Sequence, residues 1–222
     1  MRHKALAAAA AGGQLGTVQV LLTHTASQDA VNEALVAAVG AHPDTAAAGS
    51  VPGTPRVARQ SKQHVAVVQL LLEQGGAQPN WTHWETGCTA LTAAAARGNV
   101  EALALLLEHQ AVEINAREDT PAGLTALMRA CLGAQVAAVK LLLAQDGINA
   151  NVRDNEKGET ALMMATAVPD AELADRYAEI VQLLLHHART DVNARAKDGS
   201  TALIKLCTLT LQPRDDTDSV LK

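Results

Sequence analysis

The chain has 222 residues, 48% of them hydrophobic, yet Phe is absent and the aromatics are Trp81, Trp84 and Tyr177. That composition excludes a thick globular core of the kind that large aromatics fill. A net charge of −5 and a pI of about 5.9 argue against nucleic acid or an anionic membrane as the principal partner.

The first 27 residues predict two short helices, over 5–11 and 17–22. The start Met1-Arg2-His3-Lys4, followed by alanines, imitates a secretory signal. However, Leu6 and Leu22 are spaced like Leu91 and Leu107 or Leu127 and Leu143, and Gly13 falls where Gly98 does. The segment therefore reads as a first structural unit, and alanine offers little apolar area to a signal core. The second unit, 28–77, has its helices over 32–39 and 65–74. Between them lies an insertion over 41–63 carrying Pro43, Gly49, Pro52, Gly53 and Pro55. This insertion predicts a mobile loop whose closure costs about 2 kcal/mol. Its Arg56, Arg59 and Lys62 form a small basic cluster, read as solvated surface, with a partner contact as the alternative.

Units three (78–114) and four (115–150) are the most regular. In unit three, Thr89 stands where a helix N-cap belongs and Gly98 where the helix must stop and the chain reverse. Unit five, 151–192, carries extra residues over 168–174 between its helices. Unit six, 193–212, opens with Asp198-Gly199-Ser200-Thr201-Ala202-Leu203 and shows no second helix before Pro213 and an acidic tail over 213–222 with Asp215, Asp216 and Asp218. Either the tail folds back irregularly over the last helix or the chain is a piece of a longer array, and the reading favours the second.

Thr-Ala-Leu recurs at Thr89-Ala90-Leu91, Thr125-Ala126-Leu127, Thr160-Ala161-Leu162 and Thr201-Ala202-Leu203, the leucines stepping by 36, 35 and 41 residues. A glycine precedes each threonine by two: Gly87, Gly123, Gly158 and Gly199. Leucine triplets follow at 105–107, 141–143 and 183–185. A period in the mid-thirties marks a stacked repeat array. Together with the turn Gly98-Asn99-Val100-Glu101 and the closing Ile114-Asn115-Ala116 and Val192-Asn193-Ala194, these motifs make the chain resemble the ankyrin repeat family. The resemblance implies an all-α solenoid of helix-turn-helix repeats with short finger loops, a single array of about five and a half repeats over 1–222. The chain departs from the family's Thr-Pro-Leu-His opening: Ala90, Ala126, Ala161 and Ala202 replace proline, and Thr92, Met128, Met163 and Ile204 replace histidine. Loss of the threonine–histidine bond predicts weaker individual repeats.

Three and four residues after the marker leucine come Ala94 and Ala95, Ala130 and Cys131, Ala165 and Thr166. Small side chains there let neighbouring helices approach closely, and each leucine buried between layers contributes about 1.5–3 kcal/mol. Cys131 and Cys207 fall on this small-residue position and read as buried alanine substitutes. Cys88 reads as an exposed finger thiol with no adjacent base. The three cysteines are far apart and form no metal-spaced pair, which fits a reducing compartment.

Catalytic and metal motifs are lacking. His83 and Cys88 have no third partner, His186 and His187 diverge by roughly 100° on a helix, and neither a phosphate loop nor a Gly-x-Ser-x-Gly or His-Glu-x-x-His motif occurs. No enzyme activity, cofactor or metal is expected, nor any membrane span, since no apolar run nears the roughly 20 residues required. In the resembled family, partners dock on the concave side, formed by the fingers and the exposed faces of the first helices. The matching positions here are Trp81, His83, Trp84, Glu85, Thr86 and Arg97; Leu124 and Leu132; Glu156, Lys157 and Glu159; and Lys197 and Asp198. Trp81 and Trp84 stand out, because Trp is enriched where binding energy concentrates. The expected function is a non-enzymatic protein–protein interaction module, a monomeric cytoplasmic scaffold or adaptor for one protein partner. The alternative is the targeting or regulatory segment of a larger enzyme or secreted effector, exported if residues 1–11 act as a signal.

Overall fold

The computed structural model describes residues 2–25, 27–40, 55–167 and 172–211. Among them are eleven helices: α1 (Arg2–Ala11), α2 (Leu15–Thr25), α3 (Gln28–Gly40), α4 (Pro55–Glu73), α5 (Ala90–Arg97), α6 (Val100–Glu108), α7 (Ala126–Leu132), α8 (Val136–Leu143), α9 (Ala161–Thr166), α10 (Ala174–His186) and α11 (Ala202–Leu211). No strand occurs among the described residues, only an isolated bridge between Arg117 and Thr125.

The helices stand in two rows. The odd-numbered helices α1 to α11 each pack on the next odd one, and α2, α4, α6, α8 and α10 do the same behind them. Each even helix also packs on the odd helix before it. This is the helix-turn-helix solenoid that the repeat period predicts, with α1 and α2 forming its first layer.

Local chemistry explains each layer. Thr89, Thr125, Thr160 and Thr201 each accept, on the side-chain oxygen, the N–H three residues later, at 3.1–3.4 Å. These bonds satisfy helix-start donors that have no intrahelical partner. The absent histidine does not leave the turn open in repeat three: the Thr92 hydroxyl accepts the Thr89 N–H at 3.0 Å, closing a capping box. In repeat four the Met128 sulfur takes that place, accepting the Thr125 N–H at 3.5 Å. Gly98 ends α5 in the left-handed region (φ 67°), and the Asn99 N–H donates back to Ala94. The Asn99 side chain then caps α6 and donates to the Val39 carbonyl of the preceding repeat.

The core lies between the rows. The marker leucines Leu91, Leu127 and Leu162 are buried, as are Ala94, Ala130 and Ala165. Only the middle leucine of each triplet, Leu106, Leu142 or Leu184, is fully enclosed; Leu105, Leu107, Leu141, Leu143 and Leu183 pack at the margin, and Leu185 is exposed. A helix turns about 100° per residue, so three consecutive leucines cannot all face one layer.

The second helix of repeat two starts earlier than the sequence predicts. α4 begins at Pro55, so 55–63 belong to a helix and not to the insertion loop. Proline suits a first helical position, and neither glycine nor proline follows until Gly75. Residues 41–54 of the insertion, 168–171 and the tail from 212 lie outside the described residues. Lys62 of the basic cluster is exposed. Cys131 is buried as expected, but Cys207 is exposed, because no second helix covers α11 among the described residues.

Candidate interaction surface

The segments between repeats are short hairpins projecting beside the first helices. The pairing N–H groups are those of His83, Glu118, Asp154 and Ala196, which donate to the carbonyls of Cys88, Leu124, Glu159 and Ser200 at 2.8–2.9 Å. Neighbouring hairpins then bond to each other. Asp119 N–H donates to Gly87, Asn155 to Ala122 and Lys197 to Lys157, at 2.8–2.9 Å. Gly87 makes this approach possible: its φ is 66°, and a Cβ there would lie 2.3 Å from the Asp119 carbonyl oxygen. In the third hairpin the Asp154 carboxylate accepts three successive N–H groups, from Lys157, Gly158 and Glu159, at 2.6, 3.3 and 2.9 Å. The fingers are thus a hydrogen-bonded ladder.

The first rung carries the aromatics. The Trp84 ring is 72% exposed and stacks on His83, with centroids 6.1 Å apart and planes at 19°. His83 in turn meets Trp81 edge-on at 5.9 Å, and its Nδ1 accepts the N–H groups of Glu85 and Thr86 at 3.3 Å. Trp81 and His83 are half-buried. The ladder therefore presents Trp84 outward on a base formed by the other two rings.

Two ion pairs lie where fingers meet helices. The Glu118 side chain is fully buried and receives Arg129 through both oxygens, at 2.8 and 2.6 Å. Cys88 points its thiol at the same carboxylate, 3.4 Å away. Burial, then the Glu118 charge, pushes the Cys88 thiol above its usual range, which keeps it protonated at neutral pH. Lys205 stands in the Arg129 register, two residues after a marker leucine, and pairs with Glu159 at 2.6 Å. Sequence reasoning missed both pairs; the available signal was a cation two places after Leu127 and Leu203, with an acid in the adjoining finger.

Of the residues matched from the sequence, Trp84, Glu85, Thr86, Arg97, Leu132, Glu156, Lys157, Lys197 and Asp198 are exposed along the finger and first-helix side. Leu124 and Glu159 are not available to a partner. Leu124, directly before the Thr125 cap, turns into the core, and Glu159 is buried and neutralised by Lys205. Leu132 sits at a turn tied down by the Tyr177 hydroxyl, which donates to the Leu132 carbonyl at 2.9 Å.

Among the described residues no group of His, Cys, Asp and Glu side chains could hold a metal ion, and no helix is long and apolar enough to cross a membrane. Two helical rows and a ladder of fingers define a helical repeat protein. The model for ankyrin repeats (3 copies) matches residues 56–154 and 115–196, and the chain belongs to the ankyrin repeat family. It is similar in fold to the crystal structure of EF0377, an ankyrin repeat protein, over 94% of this chain and 96% of that one, with a TM-score of 0.66 and 22% sequence identity. A search of curated proteins finds no match.

Proposed function

We propose that this chain is a non-enzymatic scaffold or adaptor that binds one protein partner across its finger and first-helix side. Ankyrin repeats are in general protein–protein interaction modules, and the observation that points to this side is the exposed Trp84 on a finger ladder. A large flat ring held on a pre-formed base loses little conformational freedom on binding, and buried Trp anchors concentrate binding energy. Arg97, Glu85, Glu156, Lys157, Lys197 and Asp198 would form the polar surroundings that set orientation and specificity. The reading includes a cytoplasmic location, motivated by the dispersed cysteines; subcellular fractionation finding the chain outside the cell would refute that part.

The test is affinity capture from a lysate of the source cells, comparing the intact chain with Trp84→Ala/Arg97→Ala. The expected result is a protein captured by the first and lost with the second, while both unfold at the same temperature. Capture that is indifferent to the double substitution would place the contact elsewhere.

A further inference from the structure

The outer face of the fingers carries cations that the fold does not neutralise. In an extended strand successive side chains point to opposite faces. Glu118, Asp154 and Ala196 turn inward and are buried, which leaves Arg117, Arg153 and Arg195 in one register on the opposite face, all three exposed. The place two residues after each arginine is filled by Asp119, Asn155 and Lys197 in turn. Along the stack it changes from acid to amide to base.

Two of these cations converge on Asn155. Arg117 of the second finger donates through Nη1 to the Asn155 side-chain oxygen at 3.0 Å and to the Gly123 carbonyl at 3.2 Å. Lys197 of the fourth finger reaches back and donates Nζ to the Asn155 backbone carbonyl. All three acceptors are uncharged. In the same register the residue across from Arg153 is Lys197, a like charge. Among the described residues no carboxylate pairs with Arg117, Arg153, Arg195 or Lys197. The adjoining Asp198 is occupied by Ser200, whose N–H and hydroxyl donate to it at 2.9 and 2.6 Å. Like charges gathered on neutral acceptors repel one another, and an incoming anion relieves that repulsion while meeting donors already in place. Nε and Nη2 of Arg117 make no bond among the described residues, so its fork stays open to a carboxylate.

We propose that the outer face of the second to fourth fingers, at Arg117, Arg153, Arg195 and Lys197, binds an extended acidic segment of a protein partner. Each finger is a two-stranded hairpin bonded to the next, so with strands about 4.8 Å apart one finger follows another at about 10 Å. A peptide running along the stack in extended form advances about 3.3 Å per residue, so every third carboxylate-bearing position meets an arginine. A nucleic acid fits less well. The net charge of −5 opposes a continuous polyanion, and no aromatic ring stands among these cations for a base to stack on. The proposal rests on the reading that the fingers receive a protein. It adds the chemistry of the segment received, on fingers other than the one that carries Trp84.

Fluorescence anisotropy with a labelled peptide of repeated Glu-Gly-Ser tests it, with repeated Gln-Gly-Ser as the neutral counterpart. The Glu peptide should bind the whole chain at about 50 mM salt and weaken roughly tenfold at about 300 mM, and the Gln peptide should not bind. Arg117→Gln/Lys197→Gln should weaken binding about tenfold or more. Arg153→Gln/Arg195→Gln, which removes no bond of the fold, should do the same and serves should the first variant fail to fold by circular dichroism. Lys140→Gln, on the second helical row, should bind as wild type, and so should Trp84→Ala/Arg97→Ala. No binding of the Glu peptide, equal binding of the Gln peptide, or a Lys140→Gln loss as large as that at the fingers overturns the proposal. Tighter binding of oligothymidylate than of the Glu peptide also overturns it, because the face would then be a nucleic-acid site. A chain that captures its partner through Trp84 and Arg97 but does not take up the Glu peptide keeps the adaptor reading and loses this one.

Discussion

Burial pushes the Cys131 thiol up to about 12, against an ordinary value of 9.0. Its sulfur lies at the small-residue position that α5 fills with Ala95, where a thiolate would be stripped of water. The folded state therefore holds this proton more tightly than the unfolded chain does. The associated stability is complete below the unfolded value and is lost as pH rises from about 9 towards 12, by about 1.4 kcal/mol per pH unit inside that window. Unfolding by urea at pH 8 and pH 10 should show a larger loss for wild type than for Cys131→Ala. Equal losses would mean the thiol is hydrated. Trp84 is the opposite case: with most of its ring in solvent, Trp84→Ala should shift the unfolding temperature by no more than about 1 °C while weakening partner capture, a surface substitution in energetic terms. A large drop in stability would make the ring structural.

The fingers depend on close backbone approach, and the loops that close repeats three, four and five on paired amide bonds. Gly87→Ala would place a methyl group against the Asp119 carbonyl in a left-handed conformation, so it should cost about 2 kcal/mol or more in chemical denaturation; a neutral result would show that the first two fingers are not bonded as described. Asn115→Ala removes two bonds to the loop that closes its repeat, at Gly147 and Asn149, and should cost about 1–2 kcal/mol. Asn193→Ala, in the last repeat, should cost almost nothing, and equal losses at the two sites would mean that the asparagines do not act through these bonds. Much of this level is legible from residue order. The Thr-Ala-Leu signature marks the caps, Gly98 marks the reversal, and both follow from local donors and backbone freedom. The start of α4 is less legible, since a Pro/Gly-rich stretch does not reveal which proline ends the loop and which opens a helix. Leu124 and Glu159 were misplaced for a further reason. A hairpin residue's direction depends on the neighbouring finger and not on helical period. The cation that neutralises Glu159 lies 46 residues away, so no local pattern announces it.

At the scale of the whole molecule, stability resides in layer-to-layer contacts, and the proposed function in a surface that those layers hold in register. The two rows of helices divide the labour. The second-row leucines close the core, while the first row and its fingers carry the outward chemistry, from the stacked rings at Trp84 to the charged tips at Glu156, Lys157, Lys197 and Asp198. Composition foretold the array, because a chain without Phe and with alanine at its closest contacts is suited to thin layers. The finger side was legible through the family's arrangement; which of its residues point outward required coordinates. The central claim is that a partner lies on the finger side. Hydrogen–deuterium exchange of the captured complex against the free chain tests it most directly. The account predicts added protection at 82–88, 119–123 and 155–158 and on the adjoining turns near Arg97 and Leu132, with α6, α8 and α10 unchanged. Protection centred on those second-row helices, with the fingers exchanging as in the free chain, would contradict it.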